Sequence, residues 1–253
     1  MEQWVGSLAV VTGASVGIGA AIAEKLVQAG VNVVGIARRI ELVEALSDKL
    51  SNESGKLHPA QCDLTDEQQI LNTFKWIEET LGPVSILVNN AGIIHATTLS
   101  DGDATLWKET FDVNVLAYCI CTREAIKSMK NHGIDGIIIN VSSVTGHSVP
   151  EMATSELLIN VYPASKHAVI ALGEMLRAEL RSEQSKIRIS TLSPGIVVTE
   201  LFRNYPQNEV ETVGSIYPML QSEDVANAAL YILSTPPNVQ IQELILRPLG
   251  EMI

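Results

Sequence analysis

The residues best suited to chemistry are a tyrosine and a lysine four positions apart, Tyr162 and Lys166, at the start of an apolar helical pattern. That spacing puts both side chains on one helix face. A free tyrosine loses its proton at about pH 10, so it acts as an acid or base at neutrality only where a cation such as Lys166 favours the phenolate. Pro163 suits a first helical turn, which puts Tyr162 near the positive end of the helix dipole. The pair predicts a proton-carrying tyrosine; an amphipathic helix without chemistry is the alternative.

A glycine-rich turn near the amino terminus predicts a nucleotide site. Residues 8–11 form a short apolar run, and Thr-Gly-Ala-Ser-Val-Gly-Ile-Gly follows at positions 12–19, where a helical pattern begins. Glycines permit unusual dihedral angles and close approach of a ligand, and a helix N-terminus offers free N–H groups to a pyrophosphate. A second strand pattern at 31–37 completes a βαβ unit. Dinucleotide binding is therefore favoured over a plain strand-to-helix turn.

Two arginines, Arg38 and Arg39, follow the second predicted strand. An NAD-binding chain usually offers a carboxylate at this distance from the glycines, to hydrogen-bond the ribose hydroxyls of adenosine. Guanidinium groups suit instead the 2′-phosphate that NADP carries, although two basic residues opening a helix can also be solvated charges. The sequence predicts NADP(H) as the cofactor.

Alternating strand and helix patterns along the chain predict how these residues are brought together. The predicted strands are 8–11, 31–37, 56–62, 86–88, 136–141, 187–193 and 243–246. The predicted helices are 18–27, 40–50, 66–81, 103–129, the region after 162, and 222–233. This alternation is typical of an α/β fold with an open parallel sheet, in which ligands bind outside the strand C-termini. Ser142 and Ser143 follow the fifth strand, so their hydroxyls share an edge with the glycine turn.

Whole-chain properties limit the classes of function. The 253 residues form a single predicted domain, 1–253, in which 1–145 is mainly the cofactor half and 146–253 holds the active-site helix, substrate loop and last strand. A formal charge of −12 disfavours nucleic acid and anionic membranes as partners. No apolar run is long enough for a membrane span, and the first residues lack the pattern of a signal peptide, so we expect a cytoplasmic protein. Cys62, Cys119 and Cys121 lack zinc-site spacing, and no metal is expected.

Two loops are expected to line the site beside Tyr162. The apolar candidates are Val149, Met152, Leu157, Leu158, Ile159 and Val161 in the first loop, and Leu201, Phe202, Tyr205, Val213, Ile216, Tyr217, Met219 and Leu220 in the second. The only basic residues in these loops that could bind an anionic substrate are His147 and Arg203. Apolar walls with few polar groups are the usual form of a small-molecule site, so the sequence predicts a lipophilic alcohol or carbonyl substrate. Packing or subunit contacts are the alternative for about half of these residues.

Together, three motifs resemble the short-chain dehydrogenase/reductase family over nearly the whole chain. These motifs are the glycine turn at 12–19, Asn-Asn-Ala-Gly at 89–92, and Tyr162-x-x-x-Lys166. The resemblance implies a Rossmann-type, doubly wound, seven-stranded parallel sheet with helices on both faces. It also implies a homodimer or homotetramer paired through the helices around 103–129 and 162–181.

The resemblance also implies site roles. Asn114, Ser143, Tyr162 and Lys166 would be catalytic: Tyr162 moves the proton on the substrate oxygen, Ser143 hydrogen-bonds that oxygen, and Asn114 holds a water that links Lys166 to solvent. The residues assigned to the cofactor are Gly13, Ser15, Gly17, Ile18, Gly19, Arg38, Arg39, Asp63, Leu64, Asn90, Ala91, Gly92, Pro194, Gly195, Val197 and Thr199, together with Tyr162 and Lys166. Ser143 and Tyr162 lie farther apart in sequence than is common in the family, which indicates an insertion after Gly146.

Several stretches, among them 107–129, 193–200 and 233–248, resemble the subgroup that contains insect NADP-dependent farnesol dehydrogenases and relatives acting on ketosteroids. The expected reaction is hydride transfer between an alcohol and its aldehyde or ketone, with an isoprenoid such as farnesol first and a ketosteroid second. A cofactor-binding scaffold without turnover is the alternative from another class. A sugar-nucleotide epimerase is disfavoured, because it needs a larger C-terminal region than the chain supplies.

Overall fold

The parallel sheet expected from the sequence is present in the computed structural model, which describes residues 1–150, 159–203, 205–206, 211, 214 and 217–251. Within them, seven strands form one parallel sheet: β1 Leu8–Thr12, β2 Asn32–Ala37, β3 Leu57–Gln61, β4 Val84–Asn89, β5 Ile137–Val141, β6 Arg188–Pro194 and β7 Glu243–Leu246. Their order is β3-β2-β1-β4-β5-β6-β7. The chain reverses its direction of winding between β1 and β4, and a ligand crevice is expected at that point.

Helices cover both faces of this sheet, as the resemblance implied. They are α1 Gly17–Gln28, α2 Ile40–Lys49, α3 Glu67–Thr80, α4 Ala104–Phe111, α5 Ala117–Asn131, α6 Tyr162–Ser182 and α7 Ser222–Ser234. Side-chain caps fix several of the starts: Asp66 accepts hydrogen bonds from two N–H groups of α3, and Asp103 accepts one from α4. The sequence predicted the described elements within a few residues of their bounds.

Two apolar cores hold the helices against the sheet, one on each face. Alternate residues of the central strands point to opposite faces, so Val11 and Ile139 join one core while Val10 and Ile138 join the other. The first core packs under α1 and α7, and the second packs under α3 and α5. Buried on both sides, the sheet is a rigid base, and the loops at its carboxyl edge carry the polar residues.

The long helical region predicted at 103–129 is present, but it is not α-helical throughout. A π-helical segment, Asp112–Leu116, separates α4 from α5, and the Ala117 N–H donates to the carbonyl oxygen of Asp112, five residues back. A π segment has poorer hydrogen-bond geometry than an α-helix and occurs often at functional sites. Here it carries Asn114, whose buried side chain makes hydrogen bonds that offset the poorer geometry.

No helix in the described ranges combines the length and apolar character that crossing a membrane requires.

On the outer helices, large apolar side chains are exposed at Phe111, Leu116 and Met175. These lie on the helices that the resemblance assigns to subunit pairing. Assembly as a dimer or tetramer stays a prediction.

Candidate active site

A cavity of about 470 Å³ opens at the carboxyl edge of the sheet, across the winding reversal between β1 and β4. All the sequence-predicted cofactor residues line it except Gly19, and Ser143 lines it as well. Asn114 lies outside this cavity, beside a second, small cavity that it shares with Lys166. The motifs, separated by up to about 180 residues in the chain, are thus collected at one edge of the sheet.

The glycine turn forms a cradle that side chains would fill. Gly13 and Gly17 have φ values of +67° and +60°, which L-residues with a side chain rarely adopt. A Cβ atom on Gly19 would lie 2.3 Å from the Gly13 carbonyl oxygen and 2.4 Å from Nδ2 of Asn90. Gly19 therefore packs against the Gly13 carbonyl and Asn90 on the underside of the turn, and for this reason it does not line the cavity. The turn presents its backbone and the start of α1 to the cavity, which is the arrangement that holds a pyrophosphate.

Thr12 fixes the glycine turn to β4, a role that the sequence analysis missed. Its hydroxyl accepts hydrogen bonds at 3.0 Å from the N–H groups of both Asn90 and Ala91. In return, Nδ2 of Asn90 donates to the carbonyl oxygens of Thr12 and Gly13, at 2.9 and 3.3 Å. The Asn90 amide is thus used to position the turn. A threonine at the end of a strand, directly before the first glycine, was the available signal.

Ser143 and Tyr162 meet at the far end of the cavity. The Ser143 hydroxyl hydrogen-bonds the Tyr162 hydroxyl, and it also accepts from the N–H of Thr145 at 3.1 Å. Burial raises the pKa of the Tyr162 phenol above its ordinary value, and the hydrogen bond to Ser143 offsets part of that shift. Tyr162 begins α6, as predicted, with Pro163 in the first turn.

Lys166 lies in the same first turns of α6 and is 4% exposed. Its Nζ donates to the carbonyl oxygen of Val141 at 3.0 Å and lies 5.5 Å from the centroid of the Tyr162 ring. Burial lowers the pKa of the ammonium to about 8. The sequence had suggested a phenol pKa lowered by this lysine. The pKa of Tyr162 is raised instead, because burial outweighs the hydrogen bond from Ser143 that favours the phenolate.

Asn114 connects three elements behind Ser143 and Tyr162. Its Oδ1 accepts from the N–H of Ile93 at 2.8 Å, and its Nδ2 donates at 3.0 Å to the Ile93 carbonyl and to Oγ of Ser165. Ser165 in turn donates to the Tyr162 carbonyl at 2.7 Å. The side chain therefore holds the loop after β4 against the helix that carries Tyr162. The sequence analysis did not single out Ser165, although it lies between Tyr162 and Lys166 in the motif.

At the opposite end of the cavity, both arginines face carboxylates. Nη2 of Arg39 lies 2.8 Å from Oε2 of Glu200, and Nη1 of Arg38 lies 3.9 Å from Oε1 of Glu109. Arg38, Arg39 and Glu200 all line the cavity. The sequence analysis placed the arginines but missed both acids, which come from distant parts of the chain. Asp63, also in the wall, accepts from the N–H and hydroxyl of Thr65.

A third apolar cluster surrounds Tyr162, separate from the two cores of the sheet. Its buried members are Ile94, Ile159, Tyr162 and Tyr205, and the half-buried side chains packed on it are Ile196, Leu201, Phe202, Tyr217 and Met219. Of the predicted wall, Ile159 and five residues of the second loop are present here. Leu220 packs into a sheet core instead, because it pairs with Val197 beside β6. Val149 is 63% exposed.

Some predicted wall residues, namely Met152, Leu157, Leu158, Val213 and Ile216, lie outside the described residues. Of the two basic candidates, Arg203 lines the cavity. Nε2 of His147 lies 3.0 Å from Oε1 of Glu243 and 3.1 Å from Oγ of Ser193, so this histidine joins β6 and β7 to the turn after Ser143. Among the described residues, no group of three or more His, Cys, Asp or Glu side chains is arranged to hold a metal ion.

Proteins similar to this chain are found both by sequence and by structure. The family model described as short chain dehydrogenase matches residues 7–210. Farnesol dehydrogenase of Aedes aegypti is 46% identical over 254 residues, with 99% of each chain covered. Dehydrogenase/reductase SDR family member 11 of Gallus gallus is 45% identical over 255 residues, with 98% of each covered. Among solved structures, the closed form of serine dehydrogenase complexed with NADP+ superimposes with a TM-score of 0.85 at 26% identity, covering 97% of this chain and 96% of that one.

Proposed function

Since this chain belongs to the short-chain dehydrogenase family of oxidoreductases, we propose that it interconverts a lipophilic alcohol and its aldehyde or ketone with NADP(H) as the cofactor. The proposal rests on one observation, which is that two different groups of residues line a single cavity. A glycine cradle with two arginines forms one end, and a buried Ser143–Tyr162 pair surrounded by apolar side chains forms the other.

The residues present suit a dinucleotide. The start of α1 would offer backbone N–H groups to the pyrophosphate, and Arg38 and Arg39 would offer guanidinium groups to a 2′-phosphate. Pro194, Gly195 and Thr199 line the same cavity. A side chain on Gly13 or Gly17 would narrow this cradle, because the Cβ positions lie 2.9 Å from Ala91 Cα and 3.0 Å from Thr199 Cγ2. When bound, the nicotinamide supplies or accepts the hydride.

Tyr162 is the proposed proton carrier. Its hydroxyl would give a proton to a carbonyl oxygen during reduction and take one from an alcohol during oxidation. Ser143, already hydrogen-bonded to that hydroxyl, would donate to the same substrate oxygen and fix its position. Lys166 places a positive charge beside the Tyr162 ring, which favours the phenolate once other groups compensate for burial. Asn114 would hold the first turn of α6 against the loop after β4 through its hydrogen bonds to Ser165 and Ile93.

The apolar cluster around Tyr162 is the basis for the substrate class. Ile94, Ile159, Leu201 and Phe202 each line the cavity and belong to the cluster. A lipophilic substrate would bury its chain against them, at about 0.8 kcal/mol for each methylene. An isoprenoid alcohol such as farnesol is the first candidate, because the relative from Aedes aegypti bears the name Farnesol dehydrogenase.

We predict that kcat/KM rises with chain length along a series of straight-chain primary alcohols, by about threefold to fourfold for each methylene until the cavity is full. The measurement is the initial rate of nicotinamide reduction at fixed NADP+. 6-Hydroxyhexanoate, an anionic primary alcohol, and a sugar alcohol are the matched polar substrates. A flat or falling series, or a clear preference for the anionic or sugar compound, would contradict the lipophilic assignment.

Cofactor choice is a separate expected result. The wild type should use NADP+ at least tenfold more efficiently than NAD+, because a charge-assisted hydrogen bond to the 2′-phosphate contributes about 1.5 to 3 kcal/mol. Replacing Ala37 with Asp and Arg38 with Gln should move that ratio toward NAD+, since a carboxylate then faces the ribose hydroxyls. Equal efficiency of the wild type with both cofactors would refute the assignment of the arginines.

A further inference from the structure

An ion pair closes the arginine end of the cavity. Arg39 is the N-cap residue of α2, and Glu200 is the first residue of a 3₁₀ turn, Glu200–Phe202, after β6. Their side chains meet at 2.8 Å and are 36% and 49% exposed. Both residues line the cavity. A carboxylate therefore occupies one of the guanidinium nitrogens, Nη2, of an arginine that the proposed function assigns to a phosphate.

We propose that Glu200 is a cofactor-specificity residue, whose carboxylate competes with the 2′-phosphate of NADP(H) for Arg39. The inference rests on the proposed function, because it takes Arg39 as a phosphate ligand. It adds to that function a residue that weakens the binding of the preferred cofactor. Glu200 lowers the affinity for NADP(H) and leaves the affinity for NAD(H), which has a hydroxyl at that position, nearly unchanged.

The direction of the effect follows from charge. A phosphate that bonds to Arg39 must displace Glu200 or lie beside it, and two anions in contact repel each other. A half-exposed ion pair is weak, so it can be exchanged, whereas a phosphate offers the guanidinium more oxygen acceptors and more charge. Arg38 has a looser carboxylate neighbour, Glu109, at 3.9 Å, and Nε2 of His95 lies 3.1 Å from the other oxygen of Glu109. Glu200 is thus the closer competitor of the two acids.

The pair also links the cofactor end to the substrate end. Thr199 caps the 3₁₀ turn through a hydrogen bond to the Leu201 N–H at 3.3 Å, and its methyl group packs on the turn at Gly17. Leu201 and Phe202, the next two residues after Glu200, belong to the apolar cluster beside Tyr162. Because Glu200 lies on the same short turn, breaking its pair with Arg39 removes one restraint on that part of the substrate wall.

The test is the dissociation constants of NADP+ and NAD+, measured by titration calorimetry on the full chain and on Glu200→Gln. We expect Glu200→Gln to bind NADP+ about threefold to tenfold more tightly, with the NAD+ constant unchanged within about twofold. Glu183→Gln is the matched control, because Glu183 forms a similarly exposed pair with Lys130 at 2.6 Å, outside the cavity. It removes the same charge and should change neither constant by more than about twofold.

A double-mutant cycle with Arg39→Gln locates the effect. Arg39→Gln should weaken NADP+ binding about tenfold, and in that background Glu200→Gln should have a clearly smaller effect on NADP+ than in the wild type, because only the direct repulsion between the anions remains. An equal effect of Glu200→Gln on both cofactors, or the same gain in the Arg39→Gln background, would overturn the competition. If Glu200→Gln prefers NADP+ while the wild type binds both cofactors equally, the competition stands and the proposed wild-type preference fails. If Arg39→Gln leaves NADP+ binding unchanged, Arg39 is not a phosphate ligand and the inference fails with it.

Discussion

Tyr162→Phe is expected to lower kcat by about 10² to 10⁴-fold while changing the dissociation constant of NADP+ by no more than about twofold. The substitution removes the hydroxyl that would carry the proton and keeps the ring that packs with Ile94, Ile159 and Tyr205. Ser143 loses one hydrogen-bond partner but retains its bond with Thr145. The fold and the cofactor cradle should therefore survive, so the loss falls on the chemical step.

Tyr118→Phe is the matched control for that substitution. Tyr118 is a second buried tyrosine whose hydroxyl accepts a hydrogen bond from Asn140 at 3.2 Å, and it does not line the main cavity. Its loss should reduce stability by about 1 to 3 kcal/mol and leave kcat within a few-fold. Wild-type turnover by Tyr162→Phe, or equal losses in the two variants, would show that Tyr162 is not the proton carrier.

Lys166→Met is expected to lower activity by orders of magnitude and, at about pH 7, to raise the free energy of unfolding. A buried ammonium with a pKa of about 8, against an ordinary value of 10.5, carries a penalty on the order of 3 kcal/mol at neutrality. Methionine fits a similar volume without that charge. The variant loses the hydrogen bond to the Val141 carbonyl, which lowers its stability by about 1 to 2 kcal/mol. The net expected gain is about 1 to 2 kcal/mol.

The stability gain should depend on pH in a defined direction. In the unfolded wild type Lys166 keeps its proton up to about pH 10.5, whereas in the folded protein it loses the proton near pH 8. Between these values the unfolded state binds more protons, so wild-type stability rises with pH relative to Lys166→Met. Urea unfolding of both proteins at about pH 7 and pH 10 measures this difference. An advantage of the methionine variant that stays constant or grows with pH would contradict the buried-ammonium assignment.

Local patterns in the sequence were sufficient for most of the fold. Runs of apolar residues at 8–11 and 136–141 are fully buried strands, and capping residues such as Asp66 and Asp103 stand where helices begin. These features depend on near neighbours, which a sequence displays directly. The glycine cradle was predictable for the same reason, because Gly13 and Gly17 require the conformations that other residues avoid.

Features that depend on long-range contacts were not predictable. The π segment around Asn114 is stabilised by hydrogen bonds to Ile93 and Ser165, which lie 21 and 51 positions away. The pairing of Arg39 with Glu200 spans 161 positions. The raised pKa of Tyr162 depends on how completely the loop residues cover it, and burial of that kind cannot be read from a motif. Sequence reasoning therefore brought Ser143, Tyr162 and Lys166 to one site but did not predict the burial that sets their protonation.

The most direct test of the account is the absorbance of reduced nicotinamide after the purified protein is mixed with NADP+ and farnesol. The account predicts a rise in absorbance in proportion to enzyme, more slowly with NAD+ and not at all above background with Tyr162→Phe. The same assay run against a panel of other alcohols, and in reverse with carbonyl compounds and NADPH, covers the remaining substrates of the proposed class. Cofactor binding without turnover of any compound in that panel would contradict the account and leave a cofactor-binding scaffold in its place.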